Sequence, residues 1–293
     1  MSRFRTAKDL AIILGLVEGT SLHAPGPIRD EHQRLNRLED CFVSYFLGFD
    51  GTTYQRELVC AEFAAHYLPA LIDRYIDAPT LNASGPAPLE QRAYEMFNAS
   101  LYMLLQLYPI PYFSKYFRSQ APIAARGKTL MRVLVDRIVS YGPLLDQKKE
   151  ELPEDDFDDL YCLPLLDALK LLSICLRFFT KHQEPIPLEA RNNLTRYLIK
   201  WRHQSWMIDV QYSSEDAYDD LRGKSRIPTA VIEAARRQLK AREKCAFPKC
   251  EVKENLRACT RCSIVAYCSE AHQRADWNGT RFPHKPTCFE TEY

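Results

Sequence analysis

Residues 259–277, CTRCSIVAYCSEAHQRADW, hold three cysteines and a histidine in a window that otherwise reads as one turn and one short helix. The pair Cys259 and Cys262 has the spacing of a tight knuckle, whose turn lets both sulfurs face one ion. Cys268 and His272 stand four apart, which on a helix stacks two side chains on one face. Widening the window brings in Cys245 and Cys250 before it and His284 and Cys288 after it, the last pair repeating the four-residue step. Six cysteines and two histidines make eight donors, and tetrahedral zinc takes four, so two sites would be filled with none left over. Three disulfides would also use the six cysteines. That framework belongs to small secreted modules, whereas these cysteines are the tail of a 293-residue chain, which favours reduced thiols and metal.

The stretch from Cys245 to Cys288 resembles the MYND zinc finger. It shares the "YCS" before a short helix, the glutamine and "DW" within that helix, and a closing "HK..C". In that family the two sites interleave. The resemblance implies that Cys245, Cys250, Cys268 and His272 hold one zinc, and that Cys259, Cys262, His284 and Cys288 hold the other. It also implies that Gln273 and Trp277 line a groove for proline-rich segments of a partner protein. The chain departs from the family pattern in three places: four residues separate the first cysteine pair instead of two, His272 stands where cysteine is usual, and "NGTRFP" lengthens the run before His284. Histidine is itself a good zinc ligand, so the second departure alters a site's charge and leaves its geometry feasible.

A segment this short cannot bury enough apolar surface to fold alone, and structural zinc supplies about 10–16 kcal/mol per site in comparable fingers. The thiols are its core. Four protein ligands per ion leave no open position for water or substrate, so the expectation is a structural site in a protein that is not an enzyme. From Lys244 onward the chain has eight Lys+Arg against six Asp+Glu, and each Cys₃His centre with its zinc adds about one negative charge. The finger is near neutral, and a strong electrostatic grip on nucleic acid is not expected. Gln273 and Trp277, four apart, share a helix face about 100° round from the one that carries His272. An indole offers a flat platform for an extended proline helix, and an amide can reach its carbonyls. The bland alternative is that Trp277 caps the finger's small core.

Upstream, residues 31–243 read as helix after helix. Leu35, Leu38, Phe42, Tyr45, Phe46 and Phe49 recur at steps of three and four, the period of one apolar helical face. Similar faces run through "YQRELVCAEFAAHYLPALIDRYI", "LEQRAYEMFNASLYMLLQLY", "GKTLMRVLVDRIVSY" and "LPLLDALKLLSICLRFF". Pro69 predicts a kink or split in the first of these, and Pro164 suits a first helical turn. Breaks are expected at "DAPTLNASGPAP", "YPIPYF" and "HQEPIPL". The acidic "EELPEDDFDDL" reads as a solvated connector, and the basic "ARRQLKAREK" as the end of a helix leading into the cysteines. Cys41, Cys60, Cys162 and Cys175 lie in apolar surroundings and read as small core residues. Leu10 to Val17, bracketed by Asp9 and Glu18, reads as an ordinary buried helix.

Several function classes are disfavoured. The 39 Lys+Arg against 38 Asp+Glu give no global field toward nucleic acid or membrane, and no apolar run approaches the ~18 residues needed to span a bilayer. "PIAARGKTL" imitates the end of a phosphate-binding loop, but Pro122 stands at its first glycine position and no strand precedes it. His23, His32, His66, His182 and His203 show no HExxH spacing, and no GxSxG elbow is present.

The fold expected is mainly α: an N-terminal segment (1–30), a helical domain (31–243) with stacked helical hairpins as an option, and a small cross-braced two-zinc finger (244–293). The function expected is an adaptor for protein partners in the reducing cytoplasm or nucleus. Alternatives are a relative of the SET-domain lysine methyltransferases, which carry the same finger but also an "NHSC"-like motif lacking here, a ubiquitin-ligase adaptor such as some fungal MYND proteins, and a transcriptional co-regulator.

Overall fold

The computed structural model describes residues 6–19, 28, 30–42, 53–78, 91, 94–204, 207–232, 243–279 and 283–293. In chain order the helices are α1 (Ala7–Ile13), α2 (Glu31–Asp40), α3 (Thr53–Ile76), α4 (Ala99–Leu107), α5 (Pro111–Arg118), α6 (Leu130–Glu151), α7 (Glu154–Phe157), α8 (Leu163–Ile174), α9 (Leu188–Trp201), α10 (Ile208–Leu221) and α11 (Glu270–Trp277). The strands β1 (Arg257–Ala258) and β2 (Ala266–Tyr267) form an antiparallel pair, with Arg257 opposite Tyr267 and Ala258 opposite Ala266. No helix among the described residues is long and apolar enough to cross a membrane.

The chain forms two compact units. One comprises residues 1–70, 106–124 and 230–293, the other residues 71–105 and 125–229. In the first, α1 starts on a reciprocal cap in which Asp9 N–H donates to Thr6 Oγ1 at 3.2 Å and Thr6 N–H donates to Asp9 Oδ2 at 3.0 Å. Leu10, Ala11 and Ile13 are then fully buried, so this apolar stretch is a core helix. Leu38 and Phe42 are buried as their period requires; Tyr45, Phe46 and Phe49 lie outside the described residues, as do most of "DAPTLNASGPAP" and nearly all of "ARRQLKAREK". Helix α3 runs through Pro69 without splitting, contrary to the sequence expectation. An interior proline costs roughly 3 kcal/mol, a cost that the complete burial of Phe63, Leu68, Leu71 and Ile72 on the same helix offsets at about 1.5–3 kcal/mol each.

In the second unit, α6, α8, α10 and α9 close on one another in a ring of packed pairs, α6 on α8, α8 on α10, α10 on α9 and α9 on α6. Leu134, Ile138, Leu169, Leu172, Leu198 and Trp201 fill its interior. At the α6–α9 crossing a Cβ on Gly142 would stand 2.3 Å from Tyr197 Cε1, so the approach requires glycine; Tyr197 in turn stacks on Trp201 at 5.2 Å. Tyr75 donates to the carbonyl of Met96 at 3.3 Å, and Arg137 lies 4.3 Å over its ring.

The apolar stretch expected to form one helix up to Tyr108 is interrupted at Asn98. Asn98 Oδ1 accepts from Ser100 N at 2.9 Å and Leu101 N at 3.2 Å, and α4 begins there. A buried amide satisfying first-turn donors is what stops and restarts the helix. Pro164 falls in the first turn of α8, as expected. "PIAARGKT" forms a 3₁₀ helix leading into α6, and Glu154, Asp155 and Asp156 are exposed on the short α7. Cys41, Cys60, Cys162 and Cys175 are buried and form no disulfide; burial pushes Cys60 and Cys175 up to about 12, which keeps them protonated and unreactive.

Candidate metal centre

The eight donors of the carboxy-terminal segment come together as two separate sets, Cys245, Cys250, Cys268 and His272 in one and Cys259, Cys262, His284 and Cys288 in the other. Within each set the ligand atoms all lie within 4.8 Å of one another. Around a tetrahedral zinc with Zn–S about 2.3 Å and Zn–N about 2.05 Å, two sulfurs stand about 3.8 Å apart and a sulfur and a nitrogen about 3.5 Å. Cys250 Sγ and Cys268 Sγ are 3.8 Å apart, and Cys259 Sγ and Cys288 Sγ 3.7 Å. His272 Nδ1 lies 3.5 Å from Cys245 Sγ and 3.2 Å from Cys268 Sγ, and His284 Nε2 lies 3.4 Å from Cys262 Sγ. The spacings fit two zinc ions. Successive donor pairs alternate between the sets, so the sites are cross-braced.

Local backbone chemistry sets each pair. Cys245 and Cys250 bracket a turn closed by Cys250 N–H donating to Phe247 O at 3.0 Å, with Lys249 in the left-handed region at φ 66°. That extra turn accommodates the longer spacing of the first pair. The knuckle of Cys259 and Cys262 ends on Ser263 at φ 55°, and Ile264 N–H donates to Cys262 Sγ at 3.3 Å. Cys259 N–H donates to Val265 O at 2.8 Å and Ala246 N–H to Ala266 O at 2.8 Å, which ties the two cysteine turns to β2 and the residue before it.

Cys268 and His272 do not meet by stacking along a helix, as their spacing suggests. Cys268 precedes α11; Ser269 is its N-cap, accepting from His272 N–H at 3.2 Å. The cap fixes the first turn and swings Nδ1 back toward Cys268. His284 and Cys288 are likewise joined by a 3₁₀ turn, Lys285–Thr287.

The two sites differ in exposure. All four ligands of the second are buried, whereas Cys250, Cys268 and His272 of the first are half-buried. Phe247 stacks on the His272 ring at 4.5 Å. Burial raises the Cys245 thiol, but the backbone N–H groups of Cys268 and Phe247 and the His272 ring outweigh it and bring it down to about 7. His284 is held below its ordinary value by burial, with Asp276 opposing. Zinc takes thiolates and neutral imidazoles; burial and the neighbouring thiols hold Cys262, Cys268 and Cys288 above the ordinary thiol value, so at those ligands the ion itself would displace the proton.

Gln273 and Trp277 lie one turn apart on α11, both half-buried. The Trp277 ring meets the His284 ring edge-on at 6.0 Å. The inner side of α11 is fastened by Tyr267, which donates its hydroxyl to the buried Asp276 Oδ2 at 2.7 Å. Sequence reasoning did not single out this pair, although a buried tyrosine and an aspartate flanking a metal-bearing helix are the kind of residues that would carry it. It also missed Tyr112 and Lys115 on α5, which reach the residues flanking Cys288 and the carbonyl of Cys262.

No curated protein and no solved structure matches the chain. The model of the MYND finger family matches residues 245–288. Its zinc sites are closed and non-catalytic, and fingers of this family commonly mediate protein–protein interaction. The segment from Cys245 to Cys288, with its two interleaved Cys₃His clusters, is thus a MYND finger.

Proposed function

We propose that the chain is an adaptor whose finger docks a proline-rich segment of a partner protein on the Gln273/Trp277 face of α11. One observation carries the reading: a half-exposed indole and, one turn before it, an amide with no side-chain partner among the described residues share a face of a helix that the buried Tyr267–Asp276 hydrogen bond fastens to β2. Rigidity matters because a preformed platform does not have to be ordered on binding. The His284 ring supports one edge of the indole, leaving the rest available to stack on proline rings. Gln273 supplies a donor and an acceptor for the carbonyls of an extended peptide.

Titrating full-length, zinc-loaded protein with proline-rich peptides tests this. Trp277→Ala should weaken binding by about 2 kcal/mol or more, as truncation of an aromatic anchor does, while zinc content stays at two ions per chain. Gln273→Ala should weaken it less. If Trp277→Ala instead releases zinc, the indole is core and the docking role fails. If wild-type finger ignores such peptides and binds DNA, the adaptor reading fails with it.

A further inference from the structure

The second zinc site is gripped from outside the finger as well as from within. Tyr112 and Lys115 stand three residues apart on α5; Lys115 reaches the backbone of one ligand, and Tyr112 the backbone on either side of another. The Tyr112 hydroxyl accepts from Phe289 N–H at 2.7 Å and faces the carbonyls of Thr287 at 2.9 Å and Phe289 at 3.1 Å, to which it can donate its proton. Thr287 and Phe289 are the two residues flanking Cys288. Lys115 Nζ donates to the carbonyl of Cys262 at 3.0 Å and to Thr291 Oγ1 at 2.5 Å. Two of the four ligands are thus fixed by side chains more than 140 residues away in sequence. Tyr112 is buried and Lys115 half-buried.

Charge points the same way. Three thiolates and one zinc leave about one net negative charge on the centre, and in a partly desolvated setting an adjacent ammonium is worth more than it would be in water. At the first site the bonds run within the finger, through Val252, Phe247 and Ser269, and three of its four ligands are half-buried.

We propose that α5 is the outer shell of the second zinc site: Tyr112 and Lys115 position Cys288 and Cys262 and offset the centre's charge, making that zinc the firmly held ion and the first site's zinc the exchangeable one. The two are positioning residues, acting through the ligands' backbone. The inference does not depend on what the finger binds.

The test follows zinc leaving the full-length protein into an excess of chromophoric chelator. Wild type should release its two ions in two phases of equal amplitude. Tyr112→Phe keeps the ring and loses the hydroxyl; Lys115→Met keeps the stem and loses the charge. Each should speed the slow phase by roughly 10- to 100-fold, the usual effect of an outer-shell substitution at a metal site, and leave the fast phase where it was. Lys115→Arg should restore most of the slow phase. Helical circular dichroism before chelator must match wild type, and if one variant fails that check the other decides. A single phase for both ions in wild type, an unchanged slow phase in the variants, or both phases accelerating together would overturn the proposal.

Discussion

Tyr267 and Asp276 join the finger's hairpin to its helix: the hydroxyl at the end of β2 donates to a buried carboxylate on the last turn of α11, 2.7 Å away. Asp276 is 9% exposed and sits beside Trp277. The bond therefore sets the pose of the helix whose outer side is proposed to meet a partner.

Tyr267→Phe should leave both zinc sets intact yet cost about 1.5–3 kcal/mol, the range for a hydrogen bond to a charged acceptor. The expected readouts are a lower melting temperature for the zinc-loaded protein and weaker peptide binding, with metal content unchanged. Loss of a zinc ion from this variant would show that the bond supports the metal sites directly.

Acid should strip the finger. His284 has its folded-state pKa depressed by burial from an ordinary 6.5, so between the depressed value and 6.5 the unfolded chain binds more protons than the folded one. That contribution is complete above about 6.5 and is lost as pH falls through the window. Protons competing for the thiolates act in the same direction. Zinc retention measured from pH 8 to pH 4 should decline below about 6.5, while the helices of the second unit, built on Leu and aromatic burial, keep their circular dichroism. The same signal should survive chelator at neutral pH.

Gly142→Ala should destabilise the second unit by about 1–3 kcal/mol, the usual range for overpacking, because the new methyl meets three ring carbons of Tyr197 at 2.3–2.7 Å. Urea unfolding measures the loss. Adding Tyr197→Ala should make the penalty from alanine at 142 smaller than in wild type; equal penalties in the two backgrounds would place the strain elsewhere.

Asn98→Ala should cost about 1–2 kcal/mol by removing the cap from α4, and Asn98→Asp should recover part of it, since a carboxylate still accepts from Ser100 and Leu101. A full-strength Asn98→Ala would mean that the interruption is set by packing alone.

The finger was legible from sequence because zinc ligands declare themselves by residue type and by close spacing, and four close pairs combine into two sites in only three ways, of which the resemblance to the MYND finger picked the interleaved one. Its local backbone was less so. Cys268 and His272 are separated by a helix step, yet the meeting depends on Ser269 acting as a cap, and four-residue spacing alone cannot distinguish a cap from a helical turn. The helical character of the upstream region followed from period. The proline-marked breaks at "YPIPYF" and "HQEPIPL" were legible too, but the one at Asn98 was not: apolar residues continue at helical steps on both sides of it, so only the burial of its amide marks the break. Pro69 misled in the opposite sense, because the packing that offsets its lost hydrogen bond comes from tertiary burial. Tyr112 and Lys115 carried no local signal at all, since what they touch lies far along the chain.

That separation has a consequence for synthesis. The hydroxyl of Tyr112 meets Phe289 across 177 residues of chain, and ribosomes add roughly 5–20 residues per second. For about 10–35 s the tyrosine-rich side of α5 is made but has nothing to close against, and in that interval its interim neighbours are whatever the cell supplies: water, a chaperone, or the same helix on another nascent chain.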